Sequence, residues 1–129
     1  MSARKKVLLV EDDEFTRFMM KEIIATLGVD VEIATNGQDG CDVIAAAPES
    51  FGLILMDLHM PQMSGIDATR QIRALPANPP CDVPIIALTA DVTYHDTMRV
   101  KKLGMNGFAS KPVTPGQLLA LIDEHCSAA

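Results

Sequence analysis

The chain has 129 residues, a length that suits one domain with one core rather than two. Hydrophobic residues make up 48% of it, enough to bury a core, which argues against disorder. A net charge of −6, with no basic run beyond Arg4-Lys5-Lys6, argues against direct nucleic-acid binding. No apolar run reaches the roughly 20 residues of a membrane span, and Val7 to Val10 is too short for a secretory signal. Cys41, Cys81 and Cys126 are odd in number and lack CxxC spacing, so they read as buried thiols in a reducing, cytoplasmic setting. The eight Met residues, Met19, Met20 and Met98 among them, read as core filler.

In chain order, Val7-Leu8-Leu9-Val10 is an apolar strand that runs into Glu11, Asp12, Asp13 and Glu14. A helix is predicted from about Glu14 to Leu27, with an apolar stripe of Phe15, Phe18, Met19, Ile23 and Leu27 and a stop at Gly28. Val31 to Ala34 alternates, as in a strand near a sheet edge. Asn36 then caps a helix that Pro48 stops, with Asp39 three residues on. Leu53-Ile54-Leu55-Met56 reads as a strand buried on both faces, and it leads into Asp57. Ser64 and Asp67 repeat the cap-plus-acid pattern for a third helix toward Leu75, followed by a surface loop over Pro76-Ala77-Asn78-Pro79-Pro80. Val83 to Leu88 is the fourth strand, and Thr93 with Asp96 resembles a capping box for a fourth helix closing near Gly104. Gly107 to Ser110 is a short last strand before Lys111-Pro112. Thr114, Pro115 and Gln117 open the last helix, which sends Leu118, Leu121 and Ile122 to the core.

Five strands alternating with five helices imply an α/β fold, a doubly wound parallel sheet covered on both faces. Right-handed crossovers place every strand's C-terminal end on one rim. That rim gathers Glu11, Asp12, Asp57, Thr89 and Lys111. Converging carboxylates repel one another, and a hard divalent cation such as Mg²⁺ relieves the repulsion while keeping several waters. One carboxylate is then free to act as a nucleophile and form an aspartyl phosphate. The Lys111 ammonium and Thr89 hydroxyl are expected to position the phosphoryl group on the side away from the metal.

Four separated motifs, in this order, resemble those of the receiver domain of two-component response regulators. They are Val10-Glu11-Asp12-Asp13, Leu55 to Pro61 with Ser64-Gly65, Ala87-Leu88-Thr89-Ala90, and Ser110-Lys111-Pro112. The resemblance covers nearly the whole chain, so residues 1–129 read as a single receiver domain with no output domain following. It implies a flavodoxin-like (βα)5 sheet with strand order 2-1-3-4-5. It also implies Asp57 as phosphoacceptor, and Mg²⁺ held by Glu11, Asp12, Asp57 and the backbone carbonyl of His59, with Asp12 the more direct carboxylate of the acidic pair. Thr89 and Lys111 would hold the phosphoryl oxygens, Phe108 would be the aromatic switch, and the Lys111-Pro112 bond would be cis. The implied partner is a sensor histidine kinase or a histidine phosphotransfer domain, and the output is altered protein binding by the face of the fourth helix, last strand and last helix. The domain would catalyse its own modification and hydrolysis without being an enzyme in the usual sense. The segments around Met56 to Gly65 and Gly104 to Val113 resemble receivers attached to hybrid kinases, so the chain reads either as a piece of one or as a stand-alone regulator.

Each motif alone has an ordinary explanation, such as an acidic helix start for Glu11 to Glu14. A phosphatase resembling the haloacid dehalogenases would need a second Asp two residues after Asp57, where His59 stands. A flavodoxin-like cofactor site is opposed by Glu11-Asp12-Asp13-Glu14, which repels phosphate. His95 and His125 read as surface residues, and the His59 side chain as a rim feature that tunes access.

Overall fold

The computed structural model describes residues 5–77 and 80–126, so the reading of the first four residues and of Asn78-Pro79 in the surface loop lies outside the described residues. Strands β1 (Lys6–Val10), β2 (Val31–Ala34), β3 (Phe51–Asp57), β4 (Ile85–Thr89) and β5 (Gly107–Ser110) form one sheet. Their order is β2-β1-β3-β4-β5, and all neighbours are parallel. The helices are α1 (Glu14–Thr26), α2 (Gly37–Ala46), α3 (Gly65–Arg73), α4 (Thr97–Lys102) and α5 (Pro115–His125). This is the flavodoxin-like α/β order expected from the sequence.

Successive strand residues point to opposite faces, so each apolar run feeds two cores. Leu8, Val10, Ile54, Met56 and Ile85 meet Ile44 of α2, Ile72 of α3 and Val100 of α4. Val7, Leu9, Leu53, Leu55 and Leu88 meet Met20 and Ile24 of α1 and Leu118 and Ile122 of α5. β3 is central and buries all seven of its residues. Local caps set the helix starts: Asn36, Ser64 and Thr114 each accept the backbone N–H three residues on, and Thr114 and Gln117 complete a capping box. The Lys111-Pro112 bond is cis, as the resemblance implied.

Arg73 ties the far end of the sheet together. Its guanidinium donates to the carbonyls of Gly104 (2.7 Å), Cys81 (3.0 Å) and Val83 (2.7 Å), and to Asn106 Oδ1 (3.0 Å). Asn106 Oδ1 also accepts the Ile85 N–H at 2.9 Å, so one cluster of bonds joins α3, β4 and the turn before β5.

Four expectations are corrected. The predicted α1 stripe faces the core only in part: Ile23 and Leu27 pack against it, but Phe15 is 69% exposed and Phe18 64%, Met19 is exposed too, and Met20 and Ile24 are the fully buried pair. α1 carries apolar residues around most of its circumference, so periodicity leaves its rotation open. Met98 is likewise 72% exposed rather than core filler. Thr93 and Asp96 do not form a capping box. Asp91 accepts the Thr93 N–H and starts a single 3-10 turn over Val92–Tyr94, while Asp96 itself caps α4 through the N–H groups of Met98 and Arg99. The fourth strand also begins at Ile85, two residues later than Val83.

Candidate functional site

Parallel pairing brings the strand ends to one rim. Val10 pairs with Met56, which sets Glu11 beside Asp57, and Thr89 pairs with Ser110, which sets Lys111 across from Thr89. Glu11, Asp57 and Thr89 are all buried, a costly place for two carboxylates without a partner. The partner is Lys111, whose Nζ lies 2.7 Å from Glu11 Oε1 and 3.2 Å from Asp57 Oδ1. The repulsion expected among the rim carboxylates is therefore relieved in part by the chain's own cation. Asp57 Oδ1 also accepts the His59 N–H at 3.2 Å, and Glu11 Oε2 accepts the Asp13 N–H at 3.2 Å.

Burial pushes Glu11 from an ordinary 4.5 up to about 7, with the neighbouring Asp57 adding to the rise and the bond from Lys111 opposing it. Burial lowers the Lys111 ammonium, but Glu11 and Asp57 more than offset that and the net shift is upward. Lys111 faces two carboxylates whereas Glu11 faces one cation, so Lys111 stays charged and Glu11 is the group that titrates. Asp13, one of the acidic run, is held below its ordinary value by Thr16, whose hydroxyl and N–H both donate to it as it caps α1.

Glu11, Asp12 and Asp57 each offer a carboxylate oxygen, and these oxygens all lie within 4.8 Å of one another. Asp12 is the exposed member, open to solvent at the mouth. Clustered oxygen donors of this kind, including a buried carboxylate, suit a hard divalent cation. Arg17 was not foreseen. Its Nη1 donates to the Glu11 carbonyl (3.1 Å) and the Asp12 carbonyl (2.8 Å) and so fixes the acidic loop from one turn into α1. A lone cation just after four acidic residues was the signal for it.

Of the remaining predicted residues, Thr89 and His59 lie on the same rim. The Thr89 hydroxyl accepts the Asp91 N–H at 2.9 Å. Phe108 is half-buried, and its ring stacks on His95 at 5.2 Å between centroids. His95 is thus not the plain surface residue expected, because the 3-10 turn folds it back over β4 and β5. His125 is mostly covered as well, 3.6 Å from Glu124. The His59 side chain is 58% exposed, with Nε2 at 3.5 Å from Asp91 Oδ2, in keeping with a place on the rim.

Residues 7–123 match the family model of the response regulator receiver domain. The chain belongs to that family. Receiver domains are signalling modules of two-component and phosphorelay systems. This receiver is 32% identical over 122 residues to the hybrid signal transduction histidine kinase I of Dictyostelium discoideum, covering 92% of this chain but only 7% of that kinase's length. Among solved structures, it is 31% identical to the receiver domain of a sensor histidine kinase from Pseudomonas aeruginosa, with a TM-score of 0.77 and coverage of 95% of this chain and 98% of that one. That receiver has a magnesium ion coordinated in its active-site cleft. The co-crystal structure of the Saccharomyces cerevisiae histidine phosphotransfer protein Ypd1 with the receiver domain of its downstream response regulator Ssk1 gives a TM-score of 0.80 at 28% identity, covering 98% of this chain and 92% of that one.

Proposed function

We propose that this receiver is a phosphorylation-dependent switch that accepts a phosphoryl group on Asp57 from a phosphohistidine. The observation that carries this is the buried Asp57 carboxylate at the end of β3, 3.2 Å from the Lys111 ammonium and clustered with Glu11 and Asp12. An Asp57 oxygen attacks phosphorus, the new P–O bond forms as the P–N bond to the imidazole breaks, and the imidazole leaves with a proton. Glu11, Asp12, Asp57 and the His59 carbonyl would hold Mg²⁺, which supplies charge cancellation at the phosphoryl oxygens. Lys111 and the Thr89 hydroxyl position those oxygens. Hydrolysis of the aspartyl phosphate resets the switch, so the domain acts on itself and is not an enzyme in the usual sense.

Thr89 moving toward the phosphoryl group draws Phe108 inward and reshapes the face formed by α4, β5 and α5. Phe108 lacks a hydroxyl, so its inward state rests on packing alone. Phosphorylation then changes protein binding by shifting a pre-existing equilibrium. The donor is a sensor histidine kinase or a histidine phosphotransfer domain. The exposed Phe15, Phe18 and Met19, on the helix that starts two residues after Asp12, supply an apolar surface for it beside the mouth. Neither nucleic acid nor a membrane enters the mechanism; no described helix is long and apolar enough to cross one, and the thiols of Cys41 and Cys81 fit a cytoplasmic setting.

Incubation with Mg²⁺ and acetyl phosphate, followed by intact-mass analysis, tests the proposal. The expected result is a gain of one phosphoryl group that Asp57→Asn abolishes, together with a rise in melting temperature on adding Mg²⁺ alone. No adduct on the wild-type chain, or an equal adduct on Asp57→Asn, refutes it.

A further inference from the structure

Thr89 and Phe108 are both held by one side chain that none of the sequence motifs includes. His95 follows the 3-10 turn, and its Nε2 lies 3.0 Å from the Thr89 carbonyl. Its ring lies almost parallel to that of Phe108, with 6° between the planes and 5.2 Å between centroids. A carbonyl oxygen only accepts, so Nε2 carries a proton and donates it. The same carbonyl accepts the Lys111 backbone N–H at 3.1 Å, and the Thr89 hydroxyl accepts the Asp91 N–H at 2.9 Å. Thr89 is bonded at both oxygens to the turn and to β5's end.

We propose that His95 is a latch, a positioning residue that holds Thr89 and Phe108 in the arrangement of the unphosphorylated domain. The inference rests on the switch function proposed above and names a regulator of it. A contact made in one of two states stabilises that state alone and shifts the population toward it. Drawing Thr89 toward Asp57 strains the bond from His95 to its carbonyl, and burying Phe108 takes its ring out of the parallel stack. Both contacts must be released together, because one imidazole makes both. They fall on a backbone carbonyl and a ring, so replacing His95 leaves Asp57, Lys111 and the acidic pair in place.

The test is a calorimetric titration of the full chain with beryllofluoride, a phosphoryl mimic, in saturating Mg²⁺. His95→Ala should bind it about five- to tenfold more tightly than wild type, the effect of losing one hydrogen bond and one ring stack from the competing state. His95→Phe, which keeps a stacking ring but not the donor, should fall between the two, and it decides the matter if the Ala variant does not fold. In the ligand-free Ala variant, the Phe108 ring signals in NMR spectra should move toward their beryllofluoride-bound positions. A merely structural role would leave affinity unchanged or weaken it. Either of those results, with wild type still binding, overturns the latch and spares the switch. A wild-type chain that binds no beryllofluoride overturns the switch itself and the latch with it.

Discussion

Gly65 opens α3 directly against the end of β3. A Cβ placed there would overlap the Asp57 carbonyl oxygen and lie 2.9 Å from both the Asp57 carbonyl carbon and Leu58 Cα. All three are backbone atoms, so no side-chain rotation relieves the clash. Gly65→Ala must therefore push the first turn of α3 and the end of β3 apart by about 1 Å, since packed interiors leave no slack. The bond from the Gly65 N–H to the Leu58 carbonyl, 3.2 Å long, is stretched by the same movement. Overpacking of this kind costs about 1–3 kcal/mol. In a domain of this size that lowers the melting temperature by roughly 4–12 °C. The same displacement moves the loop that carries His59 away from Asp57. A 1 Å misplacement near reacting groups costs on the order of 100-fold in rate. Thermal melts, and the initial rate of phosphoryl adduct formation from acetyl phosphate by intact mass, measure the two effects. Gly116→Ala in the first turn of α5 is the control, because a Cβ there meets nothing within 4 Å; it should melt no lower than wild type and be modified at the wild-type rate. A Gly65→Ala variant that melts within a degree of wild type and is modified at the wild-type rate would refute the reasoning.

Two further outcomes follow from the site and the sheet. Because burial raises Glu11 to about 7, the folded chain keeps a proton that the unfolded chain has released, so Glu11 lowers stability progressively as pH rises from about 4.5 to 7. The loss amounts to about 3 kcal/mol above pH 7; urea unfolding at pH 5 and pH 8 should show Glu11→Gln removing that part of the slope, and identical slopes in both proteins would contradict it. Arg73→Ala should cost about 2–4 kcal/mol in urea melts, since it strips a charged donor from three carbonyls and from Asn106. Arg73→Lys should recover less than half of that loss, because an ammonium lacks the planar fork, and full recovery would show that charge alone matters.

Much of the architecture was legible in the chain because the relevant interactions are local. Apolar runs such as Leu53 to Met56 mark strands buried on both faces, and caps such as Asn36, Ser64 and Thr114 bond within three residues of themselves. The misreadings came where several local solutions compete. Asp91, Thr93 and Asp96 offer overlapping cap choices, and the folded chain takes two of them in succession, a 3-10 turn and then a short helix. α1 offers apolar residues on more than one face, so its rotation against β1 and β3 was open until Met20 and Ile24 were seen to pack there.

By itself, the sequence determined the kind and order of the elements, and with them the rim on which Glu11, Asp12, Asp57, Thr89 and Lys111 meet. Only the tertiary structure decided that Lys111 pairs with Glu11 across 100 positions, that Arg17 fixes the acidic loop, and that His95 joins Thr89 to Phe108. The physical reason is range. Propensities and caps act between near neighbours, whereas the pairing of distant side chains depends on sheet order and helix rotation, which emerge only when the whole core packs.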